Sequence, residues 1–409
     1  LGSDGEFLML FPAFVLAAAS PLAGEEAAAP PARGHLPHSH THAPGEIDED
    51  HGPLLLQLTY TAEAIGNVSG GLRRGTRYLD NLDIVFEADM ERLAGWTGAQ
   101  VHIYGLYNNG ASIGDLAGDA QAVSNIETGT RALRLYEAWI DQRIGSHVSL
   151  RAGLYDLNSE FDALDTAGLF VSSPHGIGTD FAQSGANGPS IFPSTSLAAR
   201  LQLTPKDGWA LRAAILDGVP GDPGRPRRTA IKLGNGDGAL LAGELEAPVG
   251  GGRLLLGHWR YTAEFERNDG NGTDDGNAGT YVRAELPLLD RSGRRIDGFV
   301  RLGTASGRFN MFGRFASGGF KFSGWVPGRD ADEFGIALAA AFTSDSHRLA
   351  TGAGPSEVAL EATYRAQLAP WLALQPNIHY IRRPSADRAI PNALLLGLRA
   401  EISFNLLGF

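Results

Sequence analysis

The chain has 409 residues, 54 of them glycine, no cysteine and a formal net charge of −12 at neutral pH. The lack of cysteine excludes a disulfide framework and thiolate metal sites, and the acidic balance, with no long basic stripe to displace counterions from phosphates, excludes general nucleic-acid binding. Glycine at about twice its usual share suits many tight turns, and a mean hydropathy of −0.11 still admits a membrane β-barrel, because lipid-facing and lumen-facing residues cancel in the average.

Residues 7–19 (FLMLFPAFVLAAA) form a thirteen-residue apolar stretch that closes on small residues. It has the shape of a secretory signal cleaved after Ala19 and is too short to span a membrane as a helix. Residues 1–19 are therefore read as a signal peptide, although LGSDGE supplies no positive charge ahead of it. Residues 20–52 follow as an Ala/Pro/His/acidic tract without periodicity, the composition of a disordered linker. Its His38, His40 and His42 present alternating imidazoles to Zn²⁺, Ni²⁺ or Cu²⁺. No second shell can form on such a chain, so the tract is read as a solvated tether without a fixed metal site.

From residue 53 to 409 the pattern changes to sixteen short segments of alternating apolar and polar residues. They centre on 54–62, 80–90, 99–108, 133–142, 147–155, 197–204, 209–216, 239–246, 253–265, 280–287, 297–305, 318–326, 333–343, 356–367, 371–381 and 393–406. In LDIVFEAD, Leu82, Ile84, Phe86 and Ala88 share one face while Asp83, Glu87 and Asp89 share the other, a period of two that a helix would not give. The links after even segments are turn-like, and those after odd segments are mostly long: 63–79, 109–132, 156–196, 217–238, 266–279, 306–317, 344–355 and 382–392. An even number of strands with turns at one rim and loops at the other predicts an all-β transmembrane antiparallel barrel with both termini on the periplasmic, short-turn side.

The third long loop, about forty residues from Asp156 to Ser196, is too long to lie structureless in solvent. It is expected to fold into the lumen and bury Leu169, Phe170, Val171, Phe181, Ile191 and Phe192. With apolar faces turned to lipid, the lumen wall carries Glu137, Trp139, Asp141, Arg151, Tyr155, Arg200, His258, Arg260, Glu264, Arg283, Arg301, Arg365 and Arg399 among others. Interleaved charges of both signs offer hydrogen-bonding partners to hydroxyls, with Trp139 and Tyr155 as flat surfaces for a sugar ring. Most such charges in large barrels only satisfy one another across strands. Other chemistry is thin: Ser172, His175 and Asp180 lie close in sequence without a nucleophile elbow, and Asp269, Asp274 and Asp275 lack the spacing of a calcium loop.

Several ungapped stretches resemble the carbohydrate-selective porin family of the OprB type: RLYEAWIDQRIG (134–145), RAGLYDLNSEFD (151–162), LFVSSPHGIGTDFAQSGANGPSIFPSTSLAARLQ (169–202), LRAAILDGVPGDPGRP (211–226) and VALEATYRAQLAPWLALQPNIHYIRRP (358–384). The resemblance implies a sixteen-stranded outer-membrane barrel that passes small sugars such as glucose by facilitated diffusion, with no cofactor and no enzymatic activity. It transfers pore-lining roles to Glu137, Trp139, Arg151, Asp156 and Asn158. Phe409 fits the terminal aromatic read by the barrel assembly machinery, although the alternation slips at Leu406 and Leu407. The partners so implied are carbohydrate substrates, outer-membrane lipid and lipopolysaccharide, with either a monomer or a homotrimer. The alternative reading is a general or anion-preferring porin, given the many lumen arginines. More distant rivals are a barrel enzyme and a metal-gathering protein that uses the His tract.

Overall fold

The computed structural model describes residues 52–234 and 236–408. The leader, nearly all of the 20–52 tract with His38, His40 and His42, and Phe409 lie outside the described residues. Sixteen antiparallel strands close into one barrel in chain order, the first pairing with the last. They are β1 (Leu54–Ser69), β2 (Gly75–Asp89), β3 (Ala99–Asn108), β4 (Ala132–Ile144), β5 (Val148–Tyr155), β6 (Ser196–Leu203), β7 (Ala210–Asp217), β8 (Ala239–Val249), β9 (Gly252–Tyr261), β10 (Ala278–Arg291), β11 (Arg294–Ala305), β12 (Phe312–Ser323), β13 (Glu333–Thr343), β14 (Ser356–Ala369), β15 (Leu372–Arg382) and β16 (Ala393–Gly408). Closure leaves no sheet edge to template association. Every segment expected from the alternation is a strand. The slip near the C-terminus is a β-bulge: Leu56 pairs with Leu407 but Gln57 with Asn405, leaving Leu406 as the extra residue.

The outer face follows the alternation, with Leu150 on β5, Leu201 on β6, and Leu211 and Ile215 on β7 all exposed. Two links depart from expectation. β1 and β2 run on to Ser69 and from Gly75, so the first loop shrinks to 70–74, and β12 starts at Phe312, so the sixth shrinks to 306–311. Polar residues such as Asn67, Thr76 and Arg77 continue the β1–β2 ladder, because a strand clear of the apolar band needs backbone pairing but no apolar face. The other six links on that side stay long, and two of them, 109–131 and 156–195, turn inward.

Parity on β9 is opposite to that expected. Trp259, Leu255 and Tyr261 are buried inside, and His258 and Arg260 are exposed outside; Glu264 lies beyond the strand and accepts from the Thr273 hydroxyl at 3.0 Å. The rule that apolar faces meet lipid fails here because the lumen itself holds an apolar body. The Phe181 ring of the third loop stacks on Trp259 at 4.9 Å between centroids.

Candidate functional site

The third loop is held by carboxylates that project inward from the wall and accept from its backbone amides. Asp156 N donates to Glu137 on β4 at 3.0 Å, Asp162 N to Glu244 on β8 at 2.8 Å, and Thr166 N to Glu285 on β10 at 2.8 Å. Val171 N and Ser172 N then share the two oxygens of Glu361 on β14 at 2.8 and 2.9 Å. Such bonds satisfy amides that no strand pairs and are stronger than neutral ones. Between and beyond these pegs Leu157, Phe161, Ile177 and Phe181 bury against Trp259, Tyr261 and Tyr281, while Leu164, Leu169 and Phe170 bury against Leu255 and Phe299.

Sequence reasoning missed that the second loop also folds inward. Ala120 N and Gln121 N share the carboxylate of Glu357, four residues before Glu361 on the same face of β14, at 2.8 and 3.0 Å. Ser124 donates to Glu63 on β1 at 2.7 Å, and Ile113, Leu116, Val123 and Ile126 bury against Ile65, Leu79, Ile381 and Leu395. The two loops pair with each other, Asn125 N to Val171 O at 2.8 Å and Ser173 N to Ala122 O at 3.1 Å. The available signal was the inward apolar residues Ile65, Leu79 and Leu395, which a water-filled lumen would not carry.

Three of the candidate arginines secure this plug, and a fourth, Arg365, braces the wall. Arg283 and Arg301 are both 0% exposed. Arg283 bonds Asp162 at 3.1 Å and the carbonyls of His175 and Gly176 at 2.9 and 2.7 Å. Arg301 bonds Asp162 at 2.8 Å and Asp180 at 2.5 Å, and a Cβ on Gly178 would collide with its guanidinium. Arg399 bridges Glu63 at 2.8 Å and Ser124 at 3.1 Å. Arg365 pairs across β15 with Glu401 at 2.7 Å. Ser172, His175 and Asp180 are not a triad: Ser172 lies 3.2 Å from His379 Nδ1, Asp180 serves Arg301, and neither His175 ring nitrogen has a partner among the described residues. Burial between aromatic neighbours pushes His175 down to about 4, so it is neutral at physiological pH.

The remaining candidates assemble on β4, β5 and β6 where the third loop begins. The register of β3 against β4 shifts between Tyr104↔Glu137 and Gly105↔Leu135, so Tyr136 is the extra residue of a bulge. The bulge lets Arg134, Tyr136, Glu137 and Trp139 all point inward while Leu133 and Leu135 stay outside. Glu137 Oε2 accepts from Trp139 Nε1 at 3.0 Å, and Asp156 accepts from the Tyr136 hydroxyl at 2.6 Å and from Asn158 N at 2.8 Å. Burial, then the Glu137 charge, push Asp156 up to about 8. The Asn158 side chain ties down its own turn through the carbonyls of Phe161 and Asp162.

Trp139 is not a free platform. The His102 ring stacks on it at 4.6 Å from the β3 side, and the Arg151 guanidinium lies 3.7 Å over it from the β5 side. Arg151 also lies 5.5 Å over the fully buried Tyr155. Two cations and two anions then close a quartet. Arg151 bonds Asp141 at 3.1 Å and Glu160 at 3.5 Å, and Arg200 bonds Asp141 at 2.8 Å and grips Glu160 with a bidentate fork, both bonds 2.8 Å. Burial alone would raise the Glu160 carboxyl, but Arg151 and Arg200 overcome it and hold the group down at about 2. Asn158 and Ser159 stay partly exposed, while the Glu160 side chain is only 8% exposed and Leu157 and Phe161 are buried. A polar edge of the third loop therefore faces an electrically balanced wall.

The family model for carbohydrate-selective porin, OprB family, matches residues 73–404. Porin B of Pseudomonas aeruginosa is 22% identical over 408 residues, spanning 85% of this chain and 87% of that protein. The high-pH structure of Pseudomonas putida OprB shares the fold with a TM-score of 0.76 at 19% identity, over 86% of this chain and 94% of that one. The outer membrane channel DcaP of Acinetobacter baumannii aligns more loosely, with a TM-score of 0.52 at 11% identity over 86% of this chain and 96% of that one.

Proposed function

We propose, from the premise that this chain belongs to the carbohydrate-selective porin, OprB family, that its two infolded loops select small neutral sugars at the balanced edge formed by Asn158, Ser159 and Glu160. The protein is an outer-membrane β-barrel channel for carbohydrate uptake. In the finer reading, the sugar passes along the open side of that edge, exchanging hydrogen bonds with Asn158 and Ser159, while the buried Arg151, Arg200 and Asp141 hold Glu160 and the edge against the wall of β4 to β6. Glu137, Trp139, Tyr155 and Asp156 position this edge rather than stack on the sugar. Arg283 and Arg301 set the path of the loop from beneath it.

The observation that carries the reading is the charge balance of the quartet. Each guanidinium at the edge has a carboxylate within 3.5 Å. A site with equal charges of both signs presents donors and acceptors to hydroxyls without attracting an ion of either sign, which favours a neutral polyol. An anion-preferring pore would need a ladder of unpaired arginines, yet the candidates Arg151, Arg200, Arg283, Arg301, Arg365 and Arg399 all hold carboxylates. Zero-current potentials across a planar bilayer under a salt gradient test this choice. Near-zero selectivity is expected, and a strong preference for chloride would favour the general anion pore.

A further inference from the structure

Four arginines on the outer face of the barrel serve neither the lumen nor the plug. Arg131 directly precedes β4, Arg260 lies one residue from the end of β9, Arg314 two residues into β12, and Arg382 ends β15. All four sit at the loop end of their strands and are exposed. Their neighbours are outward and apolar or aromatic. Arg131 lies 5.7 Å over the ring of Tyr107, Arg314 lies 6.0 Å over Phe342, Arg260 is in register with Leu241, and Arg382 is in register with Val358 two residues beyond Tyr380. None of the four has a carboxylate partner among the described residues. The outward acids Asp80 and Asp217 lie on β2 and β7, strands that carry none of them.

We propose that Arg131, Arg260, Arg314 and Arg382 form a collar that binds the phosphate groups of phosphorylated lipid in the outer leaflet. An arginine facing lipid is costly at the bilayer centre and tolerated at the interface, where its planar fork matches a phosphate. The chain carries 46 acidic against 34 basic residues, so an unpaired, outward-facing arginine on four separate strands runs against composition. A contact with a second copy would gather such residues on one side. One directly before β4 and the others on β9, β12 and β15, they are spread around the ring, where a surrounding lipid annulus contacts all four. Apolar side chains beside each guanidinium suit the acyl chains of the same lipid.

The test uses the refolded full chain in nanodiscs with bis-phosphorylated lipid A or the same lipid with its phosphates removed, reading lipid retention. Wild type is expected to retain the phosphorylated form about tenfold more strongly. The combined Arg131→Gln, Arg260→Gln, Arg314→Gln and Arg382→Gln variant is expected to lose that preference while keeping its sugar-blocked conductance. Each single variant, which carries little folding risk, is expected to lose about twofold. Equal retention of the two lipids, or undiminished preference in all the variants, would overturn the collar. So would competition by inorganic phosphate at the affinity of the lipid, or an oligomer that dissociates when the four arginines are removed.

Discussion

Glu160 carries the charge balance of the quartet, because it is the one member supplied by the loop rather than the wall. Replacing it with glutamine leaves Arg151 and Arg200 sharing Asp141 alone, one uncompensated positive charge in a water-poor site. Glu160→Gln is expected to shift the zero-current potential towards anion selectivity and weaken sugar block, and an unchanged potential would remove Glu160 from the selectivity mechanism. Its folded value of about 2 lies below the ordinary 4.5. The stabilisation it gives is therefore complete above about 4.5 and lost as pH falls through about 2, so selectivity is expected to hold from pH 7 to pH 5. Asp156 has the opposite sign. Its value rises from 3.8 to about 8, so its destabilisation is absent near pH 4, accumulates as pH rises and is complete above about 8. Asp156→Asn keeps an acceptor for Tyr136 without the buried charge. Thermal unfolding should show its advantage largest at pH 9 and absent near pH 4, and an advantage independent of pH would contradict the assignment.

At the scale of elements, two acids on β14 hold two loops. Glu357 accepts from two backbone amides of the second loop and from Ser385 N of the last loop, and Glu361 accepts from two amides of the third. Hydrogen bonds to a charged group contribute about 1.5–3 kcal/mol each, so the Glu357→Gln, Glu361→Gln double variant is expected to open the loops while the barrel stays closed. Single-channel records should then show larger, noisier conductance and weaker block by sugars; a conductance equal to wild type would mean that the apolar clusters alone hold the loops. Deleting Tyr136 removes the extra residue of the β4 bulge and reverses parity above it, turning Arg134 outward and Leu133 and Leu135 inward. Such a chain is expected to assemble poorly, read as loss of the heat-modifiable band on a denaturing gel. The strands were legible because period two survives in each of them, and the infolded third loop because forty residues need somewhere to pack. The inward second loop and the reversed face of β9 were hidden for one physical reason. Both depend on apolar side chains that face the plug instead of lipid, and hydropathy along one strand does not distinguish these two surroundings.

The whole molecule is a closed wall around a bonded plug. Its sixteen strands close without an edge, and the plug rests on wall carboxylates and on Arg283 and Arg301. Family and barrel were readable from the long motifs, and the acids and bases of the quartet lie within them. What the sequence did not disclose is that Trp139 has both faces occupied, since that depends on His102 and Arg151 arriving from neighbouring strands. This arrangement makes the sugar site one of paired charges rather than of aromatic stacking. Conductance of the purified protein in a planar bilayer, titrated with glucose, tests the central claim most directly. A carbohydrate channel with a balanced constriction predicts stepwise insertion, conductance that falls saturably as glucose is added, and a zero-current potential near zero. Absence of conductance, or a current indifferent to glucose, would contradict it.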